Sequence, residues 1–217
     1  MRFKPLLAVL FVLPLSSVAQ TVSLMQEKDT IYVGTDSRAF VKQTGRFFYA
    51  VSVPEDSLVV SEINRLAGHA TGIDGLVDSC IAHLRLRYTV LFGDILKRDK
   101  DFFNKHIMRD QVSVGLGGLC FFGIEGGRPR LIHVIVYMNK GIKHPVVITA
   151  SKQDQSRAVV TRAIGSLKSG VWGNWGLSRV AELKQDIALC TNRDPKEFVD
   201  SIDVLVLTPK GGVWTRQ

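Results

Sequence analysis

Cysteine is scarce in this sequence, three in 217 residues, and none stands at a spacing that chelates zinc. Cys80, Cys120 and Cys190 allow one disulfide and one leftover thiol, with three possible pairings. The other reading is three buried thiols acting as small apolar groups. Beyond the amino terminus no apolar run approaches the roughly 20 residues that a membrane-crossing helix requires. The basic residues are scattered, without a dense run interleaved with aromatics. The formal charge of +8 therefore describes a solvated basic surface, and no nucleic-acid partner is expected. No Gly-x-Ser-x-Gly elbow is present, which disfavours a serine hydrolase of that type. Gly115-Leu116-Gly117-Gly118 lacks the Lys-Ser/Thr of a phosphate loop and reads as a glycine-rich strand or bulge. His69, His83, His106, His133 and His144 show no ligand spacing, with His133 alternating along a strand. No metal or cofactor is implied. Trp172, Trp175 and Trp214 read as core or rim packing.

What is present begins with a leader. Arg2 and Lys4 precede an apolar stretch at 6–15, and Ser17-Val18-Ala19 fits the small-x-small pattern of a cleavage site. Residues 1–20 read as an export signal and 21–217 as one domain, secreted or periplasmic, with no internal repeat or linker. No cysteine stands at the cleavage site, so a lipid anchor is not expected.

Residues 21–26 alternate loosely, Glu27-Lys28-Asp29 forms a polar turn, and 30–35 is β-branched and aromatic, which predicts a hairpin. A third, continuously apolar strand spans 46–53. Ile73, Leu76, Val77, Cys80, Ile81, Leu84, Leu91 and Ile95 then follow the helical period, predicting a long helix over 73–103, with Gly93 as a point of kinking or division. A shorter helix over 57–67 precedes it. Strands return at 112–124 and 130–139 around Glu125-Gly126-Gly127-Arg128-Pro129, and a short one at 146–149. Helices are predicted at 153–168 and 177–190, a last strand at 202–208, and a turn into Val213-Trp214. Segregated blocks of strands and helices indicate an α+β fold, a four-layer αββα sandwich of two antiparallel sheets between helical layers.

The run Thr30-Ile31-Tyr32-Val33-Gly34-Thr35-Asp36-Ser37-Arg38 resembles the second-strand signature of proteasome β-type subunits, an apolar strand ending in Ala-Asp-Ser-Arg. The chain is similar to exported bacterial proteins related to those subunits. They pair the signature with a lysine-containing lead-in and an aromatic strand, here Lys42-Gln43-Thr44-Gly45-Arg46-Phe47-Phe48-Tyr49-Ala50. The ending, Ile202-Asp203-Val204-Leu205 followed by Thr208 and Gly212-Val213-Trp214, is similar too. The resemblance implies the αββα fold of N-terminal-nucleophile hydrolases, in agreement with the element order.

It also implies a chemistry. A threonine hydroxyl needs a base, and a terminal threonine carries its own in an α-amine whose pKa is ordinarily about 8. By the resemblance Thr21 is nucleophile and base, and Lys42 the cation that keeps the amine neutral. Asp36 is the carboxylate holding that lysine, Ser37 and Arg38 are supports, and backbone N–H groups at Ser52 and Val53 receive the oxyanion. The expected activity is cleavage of amide or peptide bonds in a peptide or small amide through an acyl-enzyme. An oligomer is possible. Two positions depart from the family. Counting back from Asp36 in the family register places the first residue at Gln20, which the leader rule leaves in front of Thr21. Where the family strand ends in Ala-Gly, this one reads Ser52-Val53, and the β-branched Val53 is expected to crowd a substrate carbonyl. The alternative is a non-catalytic binding or interaction protein that retains the fold.

Overall fold

The structure, a computed structural model, describes residues 20–36, 38–53, 56–141, 146–163, 166–170, 177–191 and 202–217. The leader through Ala19, and with it Ser37, His144, Trp172 and Trp175, lies outside the described residues.

The predicted hairpin forms from β1 (Gln20–Glu27) and β2 (Thr30–Thr35), in register from Val22 opposite Thr35 to Glu27 opposite Thr30. A short 3₁₀ turn at Arg38–Phe40 carries the chain across to β3 (Lys42–Thr44) and β4 (Phe47–Ser52). Two helices follow, α1 (Asp56–Ala67) and α2 (Ile73–Arg98). After a three-residue α3 (Lys100–Phe102) and a π-helical turn at Phe103–Ile107 come β5 (Ser113–Glu125), β6 (Arg128–Asn139) and β7 (Val147–Asp154). The chain closes with β8 (Arg157–Ala163), β9 (Ser166–Gly170), α4 (Arg179–Thr191), β10 (Asp203–Thr208) and β11 (Gly211–Arg216).

These strands make two sheets, ordered β11-β10-β2-β1-β8-β9 and β3-β4-β5-β6-β7, and all neighbours run antiparallel. Period-two alternation decides which layer each side chain enters. Val22, Leu24, Ile31 and Val33 of the first sheet meet Ala50, Cys120, Phe122 and Leu131 of the second in a core between the sheets. The other face of the second sheet, with Tyr49, Val51 and Phe121, packs under Val59 and Ile63 of α1 and Leu76, Leu84 and Tyr88 of α2. The other face of the first sheet, with Met25 and Val204, packs on Leu183 and Ile187 of α4. The fold is therefore α+β, with layers in the order helix, sheet, sheet, helix.

Gly34 sets how near α4 comes to β2, since a Cβ built there would lie 2.8 Å from Leu183 Cβ. Gly34→Ala is expected to lower the unfolding free energy by about 1–3 kcal/mol through overpacking, read from the midpoint of a urea transition.

Two predicted helices are corrected. The helix expected over 153–168 is instead the end of β7, β8 and β9. Ala158, Val159 and Val160 fit a helical stripe and a two-sided strand equally well. Pairing of 157–162 along β1 decides for the strand. The second helical block is thus one helix, α4. The long helix ends at Arg98, because Asp99 turns extended (φ −150°, ψ 91°) and its carboxylate accepts from Phe102 N at 2.8 Å to start a new turn. Gly93 lies inside α2 and does not divide it. The glycine-rich run does carry a bulge, a register shift between Gly115 and Gly117 with Gly117 at φ +120°. The Gly126-Gly127 turn uses positive φ at both glycines, 58° and 77°.

Candidate functional site

Thr21 lies near the start of β1, and its backbone closes the hairpin. Its N–H donates to Asp36 Oδ1 at 2.9 Å, and its carbonyl accepts from the Thr35 hydroxyl at 2.9 Å. Asp36 and Thr21 are thus brought together, through the main chain of the threonine. The side chain is fully buried and shares a face of β1 with Ser23 and Met25. That is the face toward α4: Ser23 Oγ donates to Asp186 Oδ2 on that helix at 2.7 Å, and Met25 packs against Leu183 and Ile187.

Lys42 lies elsewhere. It is exposed in β3 directly opposite Tyr49, and cross-strand partners share a face. The Tyr49 ring sits in the core below α1 and its hydroxyl donates to Asn64 Oδ1 at 2.8 Å. The lysine accordingly rises from the helix-facing side of the second sheet, while Thr21 faces the helix-facing side of the first. Two sheet thicknesses separate these directions, about 10 Å from sheet to sheet.

Ser52 is buried at the end of β4 opposite Gly118 and, two residues from Ala50, faces the space between the sheets. Val53 is buried in the core under the helices, on the helix side of the second sheet. Arg38 forms an ion pair with Asp203 at 2.8 Å and places its guanidinium 5.2 Å from the centre of the Trp214 ring. It ties the turn after β2 to β10 and β11, with Trp214 partly buried at the rim of the inter-sheet core.

Sequence reasoning missed the most buried charges. Arg157 of β8 reaches Glu182 Oε2 at 2.8 Å and Asp186 Oδ2 at 3.2 Å, and both carboxylates are fully buried under α4. Arg179 brackets the cluster, 3.7 Å from Glu182 Oε1 and hydrogen-bonded through two nitrogens to Glu27. Glu27 is held below the usual carboxylate range, chiefly by its hydrogen bond to Arg179. The available signal was the spacing of Glu182 and Asp186, one turn apart and each next to an apolar residue that faces the sheet, Leu183 and Ile187. Among the described residues, Arg157 Nε and Glu182 Oε1 are the buried side-chain atoms without a hydrogen-bond partner. The cluster is closed to solvent and acts as a latch between α4 and the first sheet.

Among the described residues the thiols offer no nucleophile. Cys80 under α2 and Cys120 between the sheets are free and buried in different layers. Burial pushes the Cys80 thiol up to about 12 and that of Cys120 further, which keeps both protonated. His133 in β6 is buried, and desolvation lowers it to about 4, so the imidazole is neutral. Among the described residues no group of three or more His, Cys, Asp or Glu side chains could hold a metal ion, and no helix is long and apolar enough to cross a membrane. Compared with known proteins, the chain matches no family model and no curated protein.

Proposed function

We propose that this chain is an exported, non-catalytic binding or interaction protein that retains the αββα frame of the hydrolases it resembles. One observation carries the reading: the Thr21 side chain and Lys42 project from opposite outer faces of the stacked sheets. An N-terminal nucleophile needs a neutral amine, and a lysine beside it keeps the amine so by repulsion. Beside Thr21 stands a charge of the opposite sign. Asp36 Oδ1 stands 2.9 Å from the Thr21 nitrogen, and a terminal ammonium formed there would be stabilised in its charged, non-basic state.

A second reading rests on Thr21 and Asp36, two residues the resemblance assigns to one site, being neighbours: a threonine hydrolase of amide or peptide bonds that activates when the chain is cut before Thr21. Intact mass with N-terminal sequencing of the exported protein, then treatment with a threonine-directed electrophile, separates the two. The expected result is no adduct, and identical hydrolysis rates on a panel of peptide amides for wild type and Thr21→Ala. An adduct on a chain beginning at Thr21, lost in Thr21→Ala together with turnover, would establish the hydrolase instead.

A further inference from the structure

We infer that the outer edge of β11 is a docking strand for a partner protein, an acidic, extended segment of which adds to it as a further antiparallel strand. The inference gives the binding reading a surface, and it does not depend on the fate of Thr21. β11 is the last strand of the six-stranded sheet, and among the described residues no strand pairs with its far side. Its hairpin with β10 fixes which backbone groups point there. Ile202 and Gln217 exchange both N–H···O bonds, at 3.0 Å each, and bonded pairs alternate with unbonded ones along an antiparallel ladder. The register is unbroken, so Val204–Thr215 and Val206–Val213 are bonded pairs, while Leu205–Trp214 and Leu207–Gly212 are not. The N–H and C=O groups of Gly212 and Trp214 therefore face away from β10, at the two-residue spacing that a strand repeats. Edge strands are ordinarily guarded by brevity or by charge. β3 spans three residues, and β7 carries Lys152 and Asp154. From Gly211 to Thr215, β11 has neither charge nor proline.

A row of outward amides and carbonyls is met by an extended main chain, and the side chains on the two faces select which one. On the α4 side, Tyr32, Val206 and Val213 stand opposite one another across β2, β10 and β11. Tyr32 and Val206 pack against the core below α4, whereas Val213 is 64% exposed. The apolar row thus runs past the helix to the edge of the sheet, and an apolar residue opposite Val213 continues it. The other face is positive. The half-exposed Arg38 side chain lies over the Trp214 ring, Arg216 ends the strand, and the exposed Lys210 stands in the turn before it. Asp203 pairs with Arg38. A segment that alternates apolar with acidic residues therefore matches both faces at once, valine or leucine beside Val213 and carboxylates beside Arg38 and Arg216. A second copy fits less well, because pairing β11 with itself gathers the same three cations of each chain onto one short ribbon.

The probe is a fluorescein-labelled peptide of about six residues that alternates valine with aspartate, titrated with the protein by fluorescence polarisation. Saturable binding is expected, weakened by salt, with slower hydrogen exchange at the Gly212 and Trp214 amides. Val213→Lys alters an exposed side chain and should leave the circular dichroism spectrum unchanged while weakening binding at least about tenfold, and Arg38→Glu should do the same. The peptide N-methylated at its amides, or carrying lysine in place of aspartate, should not bind. No binding of the probe, equal binding of the N-methylated peptide, or variants that bind as the wild type does each overturns the proposal. A wild type that dimerises alone in sedimentation equilibrium, and no longer does so as Val213→Lys, would assign the edge to a second copy and overturn it too. None of these results bears on Thr21→Ala, so this surface and the non-catalytic reading fail separately.

Discussion

Replacing Arg157 by methionine is expected to lower the unfolding free energy by about 3–5 kcal/mol, the range for removing one partner of a buried charge cluster. The guanidinium is the group that reaches both Glu182 and Asp186, and both carboxylates have no solvent exposure. Methionine fills much of the volume and takes none of the charge, leaving two buried carboxylates one helical turn apart, with Ser23 Oγ still donating to Asp186. Urea denaturation at neutral pH gives the loss. A triple variant that also carries Glu182→Gln and Asp186→Asn should recover part of it, because the uncompensated charges are gone. A single variant within 1 kcal/mol of wild type would mean that the latch contributes no more than a surface ion pair.

The second large effect is a pH dependence. His133 is buried, and its pKa is lowered from 6.5 to about 4 by desolvation. Between those values the unfolded chain takes up a proton that the folded chain refuses. Stability from this residue is therefore complete above pH 6.5 and is lost as the pH falls toward 4. At about 1.4 kcal/mol per pH unit, the loss across the window is on the order of 3 kcal/mol. Denaturant midpoints measured across this range should fall for wild type and stay flatter for His133→Gln, which keeps a polar side chain without the titration. The acid pairs act lower: Asp74 is held below 3.8, first by its hydrogen bond to Lys152 and then by Arg130, with burial opposing. An equal fall in the His133→Gln variant would assign the dependence to other groups.

Much of the architecture was legible in the residues. The hairpin at 20–35 follows from alternation around a polar turn, α1 and α2 from a sustained 3.6-residue period, and the β5–β6 hairpin from its paired glycines. The segment at 153–170 was not, because Ala158-Val159-Val160 satisfies both periods and only the edge of β1 beside it makes the strand. The latch was hidden for a related reason. Arg157 is 25 residues from Glu182 and Ser23 is 163 from Asp186, so no local pattern joins them.

By itself, then, the sequence determined the class of fold, the order of its layers from Thr21 to the carboxyl-terminal strands, and the set of residues from which any site had to be drawn. Tertiary structure decided which of them meet. In a strand the side chains alternate with a period of two, so a single step along β1 or β3 moves a group from the space between the sheets to a helix-covered face. Thr21 and Lys42 each fell on an outer face, of different sheets. Composition and spacing list the candidate groups, and the register of β1 on β2 and of β3 on β4 sets their directions.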